Sequence, residues 1–171
     1  LTLRGYSVNL YEEKAYWSEN IDGILRRGGV KMTGLGLNGF AKLTQITDDL
    51  AKAVEGVELI LVSMVAWRHK KLAQELKPLV RNDTVIVFSA GNFGSIVFKQ
   101  VFGPECKAVV GETLGNLFSC RMLGEGVGIA AGRDGQGRLL VVHCAAGAGG
   151  VTLSCSNGFT QAARPGWYGE E

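Results

Sequence analysis

Two apolar runs, Leu59-Ile60-Leu61-Val62 and, opened by Thr84, Val85-Ile86-Val87-Phe88, constrain the fold of this chain more than any other feature. A strand with one face in water alternates apolar and polar residues, whereas a strand covered on both faces reads as a continuous apolar run. A helical stretch follows each run: Ala66 to Lys77, closed by Pro78, and Ile96 to Phe102. Ala108 to Val110 then begins a further strand. Strands alternating with helices over such lengths predict a parallel sheet wound by right-handed crossovers.

The first third of the chain keeps the rhythm. Gly5 ends what reads as the last turn of a helix carrying Leu1 and Leu3, and Ser7 to Tyr11 is a short strand. Glu13 to Arg27 reads as a helix, with Tyr16, Ile21, Ile24 and Leu25 on one face and Gly28-Gly29 as its stop. Val30 to Thr33 and Phe40 to Ile46 read as strands flanking a glycine-rich turn. Thr47 with Asp48 and Asp49 starts a helix, a hydroxyl cap followed by carboxylates where the helix dipole is positive; Gly56 ends it. Val127 to Ala131 and Leu139 to His143 are weaker strand candidates. The stretch 145–171, rich in Gly, Ala and Ser, shows no clear period and reads as a poorly ordered tail or as sequence foreign to the original fold. The expected division is therefore 1–131 as the α/β domain and 132–171 as a strand plus tail.

Composition narrows the function classes. The 171 residues are 46% hydrophobic with a net charge of +2, which fits a globular core and gives no reason to expect a nucleic-acid or membrane surface. No apolar run approaches the roughly 20 residues that a membrane span needs. The four cysteines, Cys106, Cys120, Cys144 and Cys155, have no C-x-x-C spacing, and His69 and His143 stand far apart. A metal site is not expected, and free thiols in a reducing cytoplasm are.

One G-x-G-x-x-G occurs, at Gly34, Gly36 and Gly39. A phosphate-binding loop must follow a buried strand and open a helix, whose N-terminal N–H groups hold the pyrophosphate. Phe40-Ala41-Lys42-Leu43 looks like strand instead, so the motif reads as a hairpin turn. Leu1 enters in mid-element, and a genuine loop is expected upstream of it. In a dinucleotide fold an acidic residue about 20 residues beyond the glycines binds the ribose hydroxyls. Glu12 stands where that residue is expected, which favours NAD over NADP, because a carboxylate repels a 2′-phosphate. The alternative is an ordinary glutamate at a helix N-terminus. The fold expectation is thus a Rossmann-type doubly wound parallel sheet, missing its first strand and glycine-rich loop.

Such sheets bind ligands at the carboxyl ends of their strands. Ser63, Met64, Val65 and Ala66 follow one buried run; Ser89, Ala90, Gly91, Asn92, Phe93 and Gly94 follow the other. Ser63, Met64, Val65, Ser89, Gly91 and Asn92 join Glu12 as candidate cofactor contacts, the other reading being plain strand-to-helix turns. His69 reads as a surface or capping histidine, and His143 has no evident partner.

The order Gly5-Tyr6-Ser7-Val8, Gly28-Gly29-Val30, Thr47-Asp48-Asp49-Leu50 with Ala53-Val54, then Leu59 to Val62, resembles the NAD-binding domain of octopine/nopaline (opine) dehydrogenases over roughly 1–131. The glycerol-3-phosphate dehydrogenase and ketopantoate reductase families share much of this layout. The two-stranded insertion at 30–46 favours the opine branch, as does Glu112-Thr113 through Phe118-Ser119-Cys120-Arg121. Gly91-Asn92-Phe93-Gly94 resembles the family's glycine-rich turn, and His69 falls where the family usually has histidine. Val65 stands where the family commonly has proline, Asn116-Leu117 replaces Leu-Pro, and from about Val142 onward nothing matches.

The resemblance implies an NAD(P)-dependent reductive condensation: an amino acid and a 2-keto acid form an imine, which takes up hydride. Glu112 and Thr113 would lie toward the interdomain cleft, positioning substrate or bracing the domains. The family's catalytic residues belong to a helical C-terminal domain absent from this chain, so no residue is assigned as catalytic and the chain by itself is expected to be inactive. Two other readings stand beside this one: a neighbouring dehydrogenase acting on a C=O/CH–OH group, and a non-catalytic nucleotide-binding or interaction module.

Overall fold

A computed structural model describes residues 1–34, 38–113, 120–124, 127–130, 140–144 and 151–155. The chain divides into two compact units, one from 1–56 with 118–135 and one from 57–117 with 136–171. No helix among the described residues is long and apolar enough to cross a membrane.

In the first unit a single 3-10 turn, Thr2–Arg4, ends at Gly5 in the left-handed conformation. Strand β1, Asn9–Tyr11, follows. The expected single helix from Glu13 is split: a 3-10 turn at Lys14–Tyr16 gives way to extended backbone at Trp17, and α1 covers only Glu19–Arg27. The Trp17 indole is held outside the helix, donating to Asp22 at 2.8 Å beneath the Lys14 ammonium. Ile24 is buried as expected, whereas Tyr16 and Leu25 are exposed and do not share its face. Gly28 caps α1 in the left-handed region.

Strands β2 (Gly29–Gly34) and β3 (Gly39–Lys42) pair antiparallel, Gly29 opposite Lys42 and Met32 opposite Gly39. The glycine motif therefore joins two strands of a hairpin, as its context predicts; Gly36 lies outside the described residues. The stretch 40–46 is not one strand: β4, Gln45–Thr47, leaves β3 and pairs parallel with β1. Helix α2 covers Leu50–Val54. Its cap is Asp49, which accepts the Lys52 N–H, while the Thr47 hydroxyl accepts from Asp49 N one step earlier. Asn9 ties β1 to this helix through the Ala53 carbonyl.

The second unit opens with β5, Leu59–Val62, then a 3-10 turn at Ala66–Arg68 and helix α3, His69–Leu76. Strand β6 is Val85–Phe88, α4 is Gly94–Phe102 and β7 is Val109–Thr113. β5, β6 and β7 are parallel and in register, with Val62 beside Phe88 and Phe88 beside Glu112. Ile86, Phe88, Val62 and Val110 are buried, and so are Leu72, Ala73, Leu76, Phe98 and Phe102 from the helices. That is one covered face. On the other, Leu59 and Leu61 are 44% and 43% exposed, so β5 is not covered on both sides as its composition predicts.

Strands β8 (Cys120–Gly124) and β9 (Val127–Ala130) return to the first unit, giving a sheet in the order β3-β2-β9-β8. β10 (Leu140–Cys144) and β11 (Val151–Cys155) extend the second unit's sheet antiparallel, giving β11-β10-β7-β6-β5. A strand at 151–155, within the segment without a sequence period, was not foreseen. Its residues alternate strictly, Val151, Leu153 and Cys155 apolar against Thr152 and Ser154 polar, a strand signal that the surrounding run of Gly, Ala and Ser obscures.

Candidate functional site

The register of β5, β6 and β7 sets three strand ends side by side, and the segments leaving them carry most of the candidate residues. Ser63, Met64 and Val65 leave β5; Ser89 to Phe93 leave β6; Glu112 and Thr113 are the last residues of β7. The Ser89 N–H donates to the Val62 carbonyl at 2.9 Å, continuing the ladder one step past the strands.

Beyond Ser89 the backbone leaves the usual regions. Ala90, Asn92 and Phe93 have φ of 53°, 46° and 65°, and none is glycine. Each costs on the order of 1 kcal/mol relative to ordinary backbone, less for asparagine. Such a turn persists only where its surroundings over-determine it, and β7 supplies the restraints. The Thr113 hydroxyl accepts the Ala90 N–H at 3.0 Å and donates to the Phe88 carbonyl at 3.3 Å. The Gly91 N–H donates to the Thr113 carbonyl. The Glu112 carboxylate accepts the Ser95 N–H at 3.1 Å, placing negative charge at the positive end of the α4 dipole.

Glycine is required at 91 and 94 by this packing and not by a positive φ. A Cβ on Gly91 would overlap the Glu112 side chain, and one on Gly94 would sit 2.6 Å from the Phe88 ring. Glu112 and Thr113 are both buried, at 9% and 4% exposed. Around the strand ends Val65, Trp67 and Phe93 are exposed. The segment thus offers apolar surface beside backbone polar groups.

Glu12 belongs to the other unit. It directly follows β1; its N–H donates to the Thr47 carbonyl, and its carboxylate accepts the Glu13 N–H at 3.1 Å. It stands well ahead of α1, which begins at Glu19 behind Ser18.

His69 is the residue that sequence reasoning misplaced. It is 2% exposed, neither at the surface nor capping by its side chain. The signal was present: 69, 72, 73 and 76 are the positions of one helical stripe, and the other three are Leu72, Ala73 and Leu76. No cluster of residues able to hold a metal occurs among the described residues.

No family model matches the chain. Among curated proteins it is similar to an opine dehydrogenase of Arthrobacter sp. (strain 1C), 29% identical over 126 residues, which span 71% of this chain and 34% of that protein. Among solved structures it is similar to an octopine dehydrogenase in complex with NADH and agmatine, with a TM-score of 0.65 and 16% identity, covering 75% of this chain and 34% of that one. A PanE/ApbA family ketopantoate reductase from Ralstonia eutropha gives a TM-score of 0.60 and 16% identity, covering 77% and 41%. The chain thus spans about a third of the curated relative's length. The structural likeness establishes the fold as Rossmann-type, and the resemblance to opine dehydrogenases carried by the residues is borne out by the curated relative.

Proposed function

We propose that this chain supplies the cofactor-binding part of an NAD-dependent oxidoreductase of the opine dehydrogenase type. The observation that carries the reading is the set of three aligned parallel strand ends, finished by a strained turn that β7 holds from behind. Bound there, a nicotinamide would supply the hydride for reduction. The chain's own residues do the positioning: Ser63, Met64 and Val65 on one side, Ser89, Gly91 and Asn92 on the other. Glu12, following β1, is proposed to accept the ribose hydroxyls, favouring NAD over NADP. Glu112 and Thr113 brace the turn from beneath, and any contact they make with substrate is secondary to that.

The proposed reaction joins the α-amino group of an amino acid to a 2-keto acid and reduces the resulting imine to a secondary amine. Support comes from the opine dehydrogenase relative. The compartment proposed is the cytoplasm, consistent with Cys106 being outside any disulfide.

The test is NADH oxidation by the full-length protein, with amino acids and 2-keto acids supplied singly and in pairs, the products identified by mass. A secondary-amine dicarboxylate formed only with pairs is expected. A hydroxy acid formed from the keto acid alone would replace this reading with the ketopantoate reductase-like one, which the structural likeness to that family keeps open. No NADH binding under any condition would leave a non-catalytic module. By itself the 171-residue chain is expected to bind NADH weakly or not at all, because the strand expected between β1 and β5 is missing and the outer edge of β5 has no partner strand among the described residues; calorimetry giving micromolar affinity would refute that point.

A further inference from the structure

We infer that His69 is a positioning residue that locks the turn after β5 to the turn after β6, so that the two cofactor-facing segments hold one fixed spacing. The inference rests on the functional reading above, and the contacts are these. His69 Nε2 lies 3.2 Å from the Met64 carbonyl oxygen. A carbonyl only accepts, so Nε2 carries the proton, and in the neutral ring Nδ1 is bare. The ring thereby pins the middle residue of the Ser63–Val65 segment.

The opposite edge of the ring meets the other turn. A Cβ built on Gly94 would fall 2.7 Å from Nδ1, so the imidazole occupies the space a side chain at 94 would need. Gly94 is also tied into the strained turn, its N–H donating to the Gly91 carbonyl at 2.8 Å. The ring's third contact is edge-on to Phe88, with centroids 4.8 Å apart, and Phe88 packs in the same manner on Phe98 at 4.7 Å. His69 is therefore fixed from below by the buried aromatic stack and reaches one turn with each edge. An apolar residue of similar size would fill the volume but leave the Met64 carbonyl without this donor.

Two measurements on the full-length protein test this. Long-range nitrogen–proton NMR of the imidazoles reads the tautomer directly, and only His69 and His143 contribute signals from this chain. The expected result is the Nε2–H form for His69; the Nδ1–H form, or averaging between the two, overturns the inference without touching the functional reading. The second measurement compares His69→Leu with His69→Gln, whose amide can still donate to the Met64 carbonyl. Loss of one buried hydrogen bond predicts about a tenfold rise in the KM for NADH in His69→Leu, kcat falling much less, with most of the rise recovered in His69→Gln. Equal KM in all three proteins, or an equal fall in kcat and thermal stability in both variants, shows a filler role only. Should His69→Leu not fold, the tautomer of His69 in the wild-type protein still decides, because that measurement needs no variant. Wild-type protein that binds no NADH while showing the Nε2–H tautomer sinks the functional reading, and this role with it.

Discussion

Glu112 caps a helix to which it does not belong: its carboxylate, at the end of β7, takes the N–H of Ser95 in the first turn of α4. The helix's own N-cap is Phe93, in a left-handed conformation and with no side chain able to accept. An anion-binding position at a helix start is thereby filled from within the protein, so the α4 N-terminus is not where a cofactor phosphate would go.

Substitutions at Glu112 separate acceptor from charge. Glu112→Gln keeps an oxygen for Ser95 and is expected to lose roughly 0.5–1 kcal/mol of stability, the worth of a charge at a helix N-terminus. Glu112→Ala leaves a buried N–H without its partner and is expected to lose about 1–3 kcal/mol. Urea denaturation of the two variants checks the order. Equal losses would mean that the Ser95 contact contributes nothing.

Gly91 and Gly103 should respond to alanine for different reasons. Gly91→Ala drives a Cβ into the Glu112 side chain, a close overlap in a packed region expected to cost about 1–3 kcal/mol. Gly103, at φ 73° and ψ −179°, has open space around it but lies in a backbone region that almost only glycine adopts, so Gly103→Ala carries backbone strain alone, roughly 1–3 kcal/mol. Combining Glu112→Gly with Gly91→Ala should recover part of the first loss and none of the second, as denaturation midpoints would show.

How much of this was legible beforehand follows from what each signal measures. β5 and β6 are legible as strands from their apolar runs, and their parallel pairing from the helix between them, but the same run overstates the covering of β5, whose Leu59 and Leu61 are exposed. The glycine motif was correctly set aside because Phe40 and Ala41 continue as strand. The break at Trp17 was hidden, since an indole bonded to Asp22 fits a helical pattern as well as a turn. His69 was misread because residue type was weighed above position in a stripe shared with Leu72, Ala73 and Leu76. The reason for glycine at 91 lies in Glu112, far along the chain, and no local pattern could have carried it.

Ala90 offers a trade between stability and binding. Its left-handed backbone is strained by about 1–2 kcal/mol, and glycine would relieve that while adding roughly 0.5–1 kcal/mol of unfolded-state entropy. Ala90→Gly is therefore expected to raise stability by up to about 1 kcal/mol and, by loosening the turn, to weaken NADH binding. A variant both more stable and tighter for NADH would contradict the view that this strain is held for the cofactor's benefit.

Acid should weaken the protein in part through two surface carboxylates. The Lys52 N–H, then the Lys52 ammonium, hold Asp49 below the ordinary aspartate range, and the Arg81 guanidinium does the same for Asp83 through two 2.9 Å contacts. A lowered folded-state pKa means stability that is complete above the unfolded value and disappears as pH falls through the folded one. The window lies below about pH 4. Melting temperatures of an Asp49→Asn, Asp83→Asn double variant should fall less steeply across that window than those of the parent, the amide introduced at position 49 retaining the capping oxygen. Parallel curves would mean that neither carboxylate is favoured by folding.

Leu59 and Leu61 point to the face of the second unit's sheet opposite α3 and α4, and Val109 on β7 shares it through the register of the three strands. β5 is also the last strand of its sheet among the described residues, so its outer edge adds unpaired backbone to an apolar surface. Exposed apolar edge strands template association between copies. Threonine at both leucines introduces the β-branched shape that strands favour and removes apolar area that folding does not bury. Leu59→Thr with Leu61→Thr is therefore expected to reduce concentration-dependent light scattering strongly while shifting the melting temperature little. A double variant that scatters as much as the parent would show that association, where it occurs, runs through some other surface; a large fall in melting temperature would show that this face is covered in the folded protein.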